Sequence, residues 1–379
     1  MPRKRICLVC TEPATFDAFL APHAARLRAS YDLSLAANGR PRTADAVGID
    51  VHLIRMERAV APWRDLTALQ QLEQLFRSER FDAVHSFTPK AGLLAMLAAR
   101  RAGVRTRMHT FTGQVWATKR GLARWFLQQA DRRLARAATH LLADSPSQAE
   151  FLAAQQIVPR ERIAVIGDGS ICGVNLGRFK PDAAARREVR GDLGVPDGAC
   201  LFLFLGRLKR DKGVFELAQA FCQLAAEQAH VQLAVVGPDE ENLRPALQAA
   251  LGACAERARF VAMTPQPERF LAAADVLCLP SHREGFGNVI LEAAACGCPA
   301  VASKIYGVTD AIEDGRTGWL HPPGDVGALS ACMARLADAP ETRAQLASSA
   351  RARAERLFSE WRITEGLAEY YANVFKTLR

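Results

Sequence analysis

The chain has 379 residues, of which 49% are hydrophobic and 23% are charged, which is typical of a globular protein large enough for two domains. No apolar run approaches the roughly 20 residues that a membrane-spanning helix requires, so we expect no such helix. The formal net charge is +9 and unevenly spread: residues 1–180 carry 27 Lys and Arg against 15 Asp and Glu, whereas the remainder carries 22 against 25.

In the first half, short apolar runs alternate with amphipathic stretches. The first run is too short for a signal peptide, and we predict a β-strand there. Alternation of this kind is typical of a doubly wound parallel sheet. The predicted strands are residues 5–10, 33–36, 51–54, 83–85, 107–111, 140–143 and 163–166, and the predicted helices are 16–29, 64–78, 89–101, 118–136 and 145–154.

The second half repeats this pattern after a polar junction at residues 177–182. We therefore predict a second α/β domain of similar construction, and two such sheets would face each other across a ligand-binding cleft. The last segment, 360–378, is aromatic and amphipathic. The predicted strands are residues 201–205, 231–236, 276–279 and 300–302, and the predicted helices are 213–228, 241–252, 267–273, 287–297, 326–337 and 341–357.

The ten cysteines do not predict a metal site. Cys7 and Cys10 form a C-x-x-C pair, but they lie in a predicted strand, whose alternation would place them on opposite faces. No second pair has the spacing of zinc ligands. We expect reduced, buried thiols.

The strongest chemical signal is Glu-Gly-Phe-Gly-Asn-Val-Ile-Leu-Glu at residues 284–292, which follows a predicted strand and opens a predicted helix. The amides of a first helical turn, together with the helix dipole, suit a phosphate group. Glu292 would lie about 7–8 Å along the helix axis. Glu284 and Glu292 could therefore hold opposite ends of a ligand whose phosphates sit at the turn. The alternative is an ordinary strand–helix junction with solvated glutamates.

A second signal is Gly-Arg-Leu-Lys-Arg-Asp-Lys-Gly at residues 206–213, directly after a predicted strand. Arg207 can make bidentate contacts to phosphate oxygens, and Lys212 adds a point charge. An exposed basic loop is the alternative. Gly237 ends the next predicted strand, where either a close approach to a ligand or a simple turn would require glycine.

Together these segments resemble glycosyltransferase family 4, the retaining enzymes of the GT-B fold that build bacterial polysaccharides such as O-antigen. The resemblance is specific over the C-terminal half and includes Val-Val-Gly at 235–237, Leu-Pro-Ser at 279–281 and Asp-Gly-Arg-Thr-Gly-Trp-Leu at 314–320. It implies that Glu284 contacts the transferred sugar, that Glu292 binds the ribose, and that Arg207 and Lys212 bind the diphosphate. The other implied donor-binding residues are Gly237, Met263, Gly285, Phe286, Gly287, Asn288 and Val289.

The N-terminal half matches this family more loosely. Thr-Phe-Thr-Gly113 after His109 resembles the acceptor-domain loop, with a histidine near the reacting sugar. A hydrogen-bonded core histidine is the alternative for His109. The resemblance implies an acceptor-binding domain over residues 1–180, a nucleotide-sugar domain over 181–359, and a last helix over 360–378 that packs back on the first domain. The chain departs from the family at residues 11–15 and 261–264, which lack the usual glycines.

The resemblance also implies a mechanism. Cleavage of a sugar–phosphate bond develops negative charge on the leaving diphosphate, and fixed donors aimed at that charge lower the barrier. Arg207, Lys212 and the amides near residues 286–289 could supply these donors without a metal ion, and no Asp-x-Asp pair occurs in the sequence. We expect same-face attack with retention, a UDP-sugar as the substrate, and no cofactor.

The region between residues 100 and 136 holds ten Lys and Arg against one acid, Asp131, which favours an anionic partner. Residues 118–138 read as an amphipathic helix with Trp125 on its apolar face, as in helices that lie on anionic lipid. The alternative is that this face packs on the sheet. The predicted acceptor and membrane surface comprises Gly113, Trp116, Lys119, Arg120, Arg124 and Trp125.

We therefore expect a cytoplasmic enzyme, peripheral on the inner face of the cell membrane. It would transfer a hexose or N-acetylhexosamine to a glycan acceptor linked to polyprenyl diphosphate, in polysaccharide or lipopolysaccharide synthesis. A sugar-nucleotide epimerase or hydrolase and a non-catalytic nucleotide-sugar binder are the rival functions. A nucleic-acid partner is not expected, because no recognised nucleic-acid module appears.

Overall fold

The computed structural model describes residues 3–57, 59 and 61–377, and the chain divides into two compact units. The first unit is Met1–Cys172 together with Glu360–Arg379, and the second is Gly173–Ser359. The structure thus places the boundary at residue 173, a little before the predicted one at 181, and assigns the last helix to the first unit.

In its described residues, the first unit contains a parallel sheet of seven strands in the order β3-β2-β1-β4-β5-β6-β7. Because all strands are parallel, their carboxyl ends meet at one edge of the sheet. The strands are β1 (Arg5–Val9), β2 (Asp32–Ala37), β3 (Asp50–Leu53), β4 (Ala83–Ser86), β5 (Thr106–Phe111), β6 (His140–Ala143) and β7 (Ile163–Val165).

Helices cover both faces of this sheet. The α-helices that precede the second unit are α1 (Pro13–Thr15), α2 (Ala21–Leu27), α3 (Ala44–Val47), α4 (Pro62–Glu79), α5 (Pro89–Arg101), α6 (Gly121–Ala137) and α7 (Pro146–Ala154). Buried residues of α4, α5, α6 and α7 share one hydrophobic core, whereas those of α2 belong to the core on the opposite face.

The helix predicted over residues 16–29 is divided by a π-helical turn at Phe16–Leu20. Pro22, at the start of α2, has no amide hydrogen to donate, so the ladder of α-helical hydrogen bonds is interrupted there.

The second unit has a parallel sheet of six described strands in the order β10-β9-β8-β11-β12-β13. Its strands are β8 (Cys200–Leu205), β9 (Val231–Val236), β10 (Ala258–Val261), β11 (Val276–Leu279), β12 (Ala300–Ser303) and β13 (Gly318–His321). The remaining helices are α8 (Ala183–Asp192), α9 (Val214–Glu227), α10 (Arg244–Leu251), α11 (Pro267–Ala273), α12 (Asn288–Ala295), α13 (Val308–Ala311), α14 (Val326–Ala337), α15 (Pro340–Leu357) and α16 (Glu360–Lys376).

The two sheets have the architecture predicted from the sequence, although β10, β13, α8 and the short helices α1, α3 and α13 were not predicted. Cys7 and Cys10 lie on opposite faces of the sheet, as the alternation of side chains along a strand predicted. One thiol belongs to each of the two cores of the first unit. All ten cysteines are free thiols. None of the described helices combines the length and the apolar character needed to cross a bilayer.

The last helix, α16, completes the core of the first unit. The Tyr371 hydroxyl lies 2.6 Å from Nδ1 of His85, and Nε2 of the same imidazole lies 2.9 Å from the Thr110 hydroxyl. All three residues are buried, and burial holds the pKa of His85 well below its ordinary value, so the ring is neutral. A neutral imidazole has one donor and one acceptor nitrogen, and the two hydroxyls satisfy both.

Replacing Tyr371 with Phe should therefore destabilise the protein by about 1–3 kcal/mol, because one buried imidazole nitrogen would lose its partner while the ring packing is kept. The free energy of unfolding in urea measures this loss. The matched control is Tyr370→Phe, since the Tyr370 hydroxyl has no hydrogen-bond partner among the described residues. Equal effects of the two substitutions would contradict the role given to His85.

Candidate functional site

In the second unit, the loops after β8 and β11 are in backbone contact. Gly213 ends a short 3-10 turn, Arg210–Lys212, in the left-handed region with φ of 69°. A Cβ atom at this position would lie 2.0 Å from the carbonyl oxygen of Pro280, so only glycine fits. This contact brings the basic loop after β8 against the acidic loop after β11.

The contact aligns an ion pair at the carboxyl edge of the sheet. The Lys212 ammonium lies 2.6 Å from Oε1 of Glu284, and both side chains are largely buried. The hydroxyl of Ser281 donates to the same carboxylate oxygen at 2.8 Å. Ser281 is itself fully buried, so the position of the Glu284 carboxylate is fixed from two sides.

Two further contacts connect the same loops. The Arg283 guanidinium donates to Oδ2 of Asp211 at 2.8 Å, and the His282 amide donates to the Asp211 carbonyl at 2.9 Å. Burial alone would raise the pKa of Asp211, but the hydrogen bond and charge of Arg283 outweigh it and lower that pKa. Nε2 of His282 also lies 2.7 Å from Glu216 at the start of α9.

Arg207 lies on the neighbouring part of the basic loop and faces an acid that sequence reasoning missed. Its guanidinium is 3.3 Å from Oε2 of Glu240, in the loop after β9, and the Lys209 ammonium is 3.4 Å from the same oxygen. The structure thus places both predicted cations at the carboxyl edge, each beside a carboxylate. Glu240 could have been found from the sequence as an acid in the loop that follows the strand next to that of Arg207.

Gly237 allows β8 and β9 to end side by side. Its φ of 143° lies outside the range that side chains favour, and a Cβ atom there would lie 1.9 Å from the Gly206 carbonyl oxygen. Glycine is therefore required at 237 by the close approach of the Gly206 backbone in the same unit. Met263, predicted to contact the base, lies in the loop after β10 with an exposed side chain.

The residues between Glu284 and α12 form a tight turn. A Cβ atom at Gly307 would lie 2.2 Å from the Gly285 carbonyl oxygen, and Gly287 has a φ of 79° as the residue before the helix. The Phe286 ring is buried against Phe358, with ring centroids 5.3 Å apart. The amides of Asn288 and Val289 therefore open α12 from a fixed position, as a phosphate-binding helix start requires.

Glu292 lies within α12 and is partly buried. Desolvation raises the pKa of its carboxyl group to about 7, with the charge of Arg178 opposing this rise and that of Glu268 adding to it. Once ionised, such a carboxyl group can accept hydrogen bonds from hydroxyl groups, and a strongly shifted pKa of this kind is frequent at binding sites.

The structure corrects the prediction for His109. The imidazole lies in the middle of the sheet core, 1% exposed, with Nδ1 2.9 Å from the Ser86 hydroxyl. Its ring fits against Gly92 of α5, where a Cβ atom would lie 2.4 Å from Cε1. Burial lowers its pKa to about 3, so the ring is neutral. In this structure His109 is therefore a hydrogen-bonded core residue, which is the alternative that the sequence left open.

The structure also corrects Trp116, which was predicted to lie on the acceptor and membrane surface. This side chain is 1% exposed, its Nε1 donates to Asp131 at 2.7 Å, and its ring stacks on Phe151. Arg124 lies over the same ring and donates to Gln155 at 2.7 Å, so it is held against the core rather than free on the surface. Gly113 is buried as well.

The rest of that predicted surface is exposed. Lys119, Arg120 and Trp125 all face solvent. So do Leu122 and Phe126, because α6 packs on the core through its C-terminal half, around Leu134. The C-terminal half of this helix therefore packs on the core, and its N-terminal half is exposed.

Among the residues that the structure describes, no three His, Cys, Asp or Glu side chains are grouped so as to hold a metal ion.

Comparison with known proteins agrees with this architecture. The family model described as "Glycosyl transferases group 1" matches residues 185–353, which includes both ion pairs of the second unit. The model described as "Glycosyl transferase 4-like domain" matches residues 18–169 of the first unit.

Similar proteins include two named bacterial glycosyltransferases. The chain is 29% identical to the capsular polysaccharide biosynthesis glycosyltransferase CapM of Staphylococcus aureus, over 86% of this chain and 85% of that protein. It is 30% identical to a D-inositol 3-phosphate glycosyltransferase of Thermobispora bispora, over 82% of this chain and 75% of that protein.

Among solved structures, HepE of Anabaena in complex with UDP and glucose has a TM-score of 0.82 at 22% identity, over 98% of this chain and all of that one. This similarity confirms the predicted fold class. With both family models matched in order and relatives aligned over most of their length, the chain belongs to the GT-B glycosyltransferases that combine these two domains.

Proposed function

We propose that this glycosyltransferase is a member of glycosyltransferase family 4 that moves a hexose or N-acetylhexosamine from a UDP-sugar to a glycan acceptor, with retention of configuration and without a metal ion. The observation that carries the proposal is the Lys212–Glu284 pair, fixed at 2.6 Å at the carboxyl edge of the second sheet. The complex of HepE with UDP and glucose, a protein of the same fold, supports UDP as the nucleotide.

In this proposal the leaving diphosphate is stabilised by the protein alone. Lys212, Arg207 and the first amides of α12 provide two full charges and several N–H donors around one short stretch of the sheet edge. Such preorganised donors are worth about 3–4 kcal/mol each in other enzymes. The diphosphate would replace Glu240 beside Arg207, which exchanges one anion for another and leaves no cation unpaired.

Glu284 would position the transferred sugar. Its carboxylate is held by Lys212 and Ser281, so it can accept hydrogen bonds from sugar hydroxyls in a fixed direction. In same-face attack, the bond from the anomeric carbon to the acceptor oxygen forms on the side that the diphosphate leaves, and a leaving phosphate oxygen takes the acceptor proton. No enzyme base is required, which agrees with the enclosed position of His109.

Glu292 would bind the ribose. Two ribose hydroxyls can donate to its carboxylate and replace the water that burial removes.

For the acceptor, we propose a glycan linked to a polyprenyl diphosphate, used at the inner face of the cell membrane. The exposed half of α6 supports this: Leu122, Trp125 and Phe126 project beside Lys119 and Arg120. Aromatic residues flanked by cations suit the interface of an anionic bilayer. The similarity to CapM, named for capsular polysaccharide biosynthesis, supports a cell-surface glycan as the product.

The donor is tested by thermal shift against UDP-, GDP-, ADP- and dTDP-sugars. UDP-sugars should raise the unfolding midpoint most, because a ligand that binds the folded state stabilises it in proportion to its affinity.

Lys212→Ala should lower turnover by about 10²- to 10³-fold through loss of leaving-group stabilisation. Lys180→Ala, an exposed lysine of the same unit, is the matched control.

Several outcomes would contradict this proposal. Equal thermal shifts from all four nucleotide sugars would contradict the assignment of UDP as the donor nucleotide. Wild-type turnover in Lys212→Ala would contradict the role of Lys212 in stabilising the leaving group. Turnover of the donor without any acceptor would favour an epimerase or hydrolase. Proton NMR of the first product should show the anomeric configuration of the donor, and activity should persist in EDTA.

Glu292→Gln tests the carboxyl group that titrates near neutral pH. Its pKa rises from 4.5 in the unfolded chain to about 7 in the folded protein, so the folded state binds this proton more tightly. Wild-type stability is therefore lost as the pH rises from about 4.5 through 7, and the neutral Gln variant avoids this loss. The difference in unfolding midpoint, variant minus wild type, should grow between pH 5 and pH 8; a constant difference would contradict the raised pKa.

Membrane association is tested by flotation with vesicles of phosphatidylglycerol and phosphatidylcholine. Wild type should float, less so at high salt because the cations at the start of α6, Lys119 and Arg120 among them, are screened. Trp125→Ser with Phe126→Ser should reduce the bound fraction severalfold, since two exposed aromatic side chains lose their apolar contact. If wild type binds the vesicles at no salt concentration tested, the membrane part of the proposal is wrong.

A further inference from the structure

Two half-buried cysteines lie against each other beside the second sheet. Cys222 belongs to α9, and Cys254 belongs to the 3-10 turn Gly252–Arg257 that follows α10. Both pack on the edge of the core that α9, α10 and α14 form with the sheet. Sγ of Cys254 lies 3.9 Å from the Cys222 carbonyl oxygen, although the two residues are 32 positions apart in the chain. The fold thus brings together two thiols that the sequence separates by a strand and a helix.

The backbone around this pair is held from two sides. The thiol of Cys222 donates to the Leu251 carbonyl, the last of α10, at 3.3 Å. The Arg257 guanidinium donates to the Gln228 carbonyl at 2.9 Å, directly after the end of α9. The end of α9 and the turn after α10 are therefore joined on both sides of the two cysteines. Because Sγ of Cys254 already reaches the backbone of Cys222, we expect rotation of the two side chains to be sufficient for a disulfide.

Solvent access distinguishes this pair from most of the other thiols. Six of the ten cysteines are buried, where a dissolved oxidant cannot reach them. Cys222 and Cys254 are among the four that are half-buried, and they combine this access with contact between two cysteines. Thiol–disulfide exchange needs both conditions, an accessible sulfur for the first attack and a second sulfur within reach of the product.

We propose that Cys222 and Cys254 form a site of reversible thiol–disulfide exchange that reacts with low-molecular-weight disulfides and closes to an intrachain disulfide. A small disulfide suits the half-buried position better than the disulfide of a second protein, which would need a fully exposed sulfur. The inference does not depend on the proposed glycosyl transfer.

The exchange proceeds in two balanced steps. A thiolate of the pair attacks one sulfur of the small disulfide, forms a mixed disulfide and releases one small thiolate. The second thiolate of the pair then attacks the protein sulfur of the mixed disulfide and releases the other small thiolate. The two protons lost by the cysteines pass through solvent to the released thiolates. The protein pair is oxidised by two electrons, and the small disulfide is reduced to two thiols.

The surroundings of Cys222 make this exchange slow at neutral pH. Burial raises the pKa of its thiol to about 11, the neighbouring Cys254 adds to the rise, and the charge of Arg257 opposes it. Only the thiolate is a nucleophile, so a small fraction of Cys222 is reactive at any moment. The pair therefore responds to sustained exposure to an oxidant rather than to a brief one.

Closure of the disulfide would stabilise the second unit. The cross-link closes a loop that contains β9 and α10, and it removes conformational freedom from the unfolded chain. In exchange, Cys222 loses the proton that it donates to the Leu251 carbonyl.

The test incubates the folded full chain with glutathione disulfide at pH 8, blocks the remaining thiols with N-ethylmaleimide and identifies the cross-linked peptides by mass spectrometry. A peptide that joins Cys222 to Cys254 should accumulate, and dithiothreitol should reverse it. Oxidation should raise the unfolding midpoint by roughly 5–10 °C. Cys222→Ser and Cys254→Ser should each abolish the cross-link and this rise. The matched control is Cys332→Ser, a half-buried cysteine of α14, which should retain both.

The wild-type protein alone decides the inference, so a variant that fails to fold does not affect it. Mixed disulfides with glutathione that never resolve into a cross-link would overturn it, as would a disulfide to any other cysteine. Lack of reaction at both thiols in the folded protein, with a cross-link only after denaturation, would overturn it too. A cross-link that lowers the unfolding midpoint would mean that the two sulfur atoms do not meet in the native fold, and would overturn it as well. Because these measurements use no sugar donor, their outcome is separate from that of the proposed function.

Discussion

The carbonyl oxygen of Pro280 occupies the space that a side chain at residue 213 would need, and the geometry of the candidate site depends on this contact. It holds a cationic loop and an anionic loop together at the ends of two adjacent strands. Lys212 and Glu284 then meet at hydrogen-bonding distance, and Asp211 with Arg283 secures the same junction from the side. Because these groups are already in place in the protein alone, the proposed reaction would require little reorganisation of the site.

Much of the fold was predictable because buried parallel strands are short continuous apolar runs. The elements that were missed lack this signal. β10 and β13 are four-residue strands at the two edges of their sheet, and the first carries Arg259. Only Ala185 and Val189 are buried in α8, too few to show a helical period, although Asp182 caps its first turn. Tertiary pairing, rather than local sequence, determines such elements.

The candidate site was likewise predictable only in part. Glycines and charges that follow buried strands indicated where the loops of the second unit would lie. The sequence did not indicate which acid each cation would face, because Glu240 and Arg207 belong to different loops. His109 was misplaced because a histidine at the end of a predicted strand fits either a core or a site. Only the approach of Gly92, from another helix, decides between them. Likewise, Trp116 donates a hydrogen bond to Asp131, fifteen residues later in the chain. This bond holds the Trp116 ring in the core, whereas the basic composition around it had indicated a surface position.

The first unit is assembled from both ends of the chain, with the second unit inserted before α16. During synthesis, the second unit is continuous and can close its sheet as soon as Ser359 has left the ribosome. The first unit starts earlier but must wait for Leu367 and Tyr371 to cover one face of its sheet. Until then, the face of the sheet that α16 covers in the folded protein, with His85 on it, remains accessible to water.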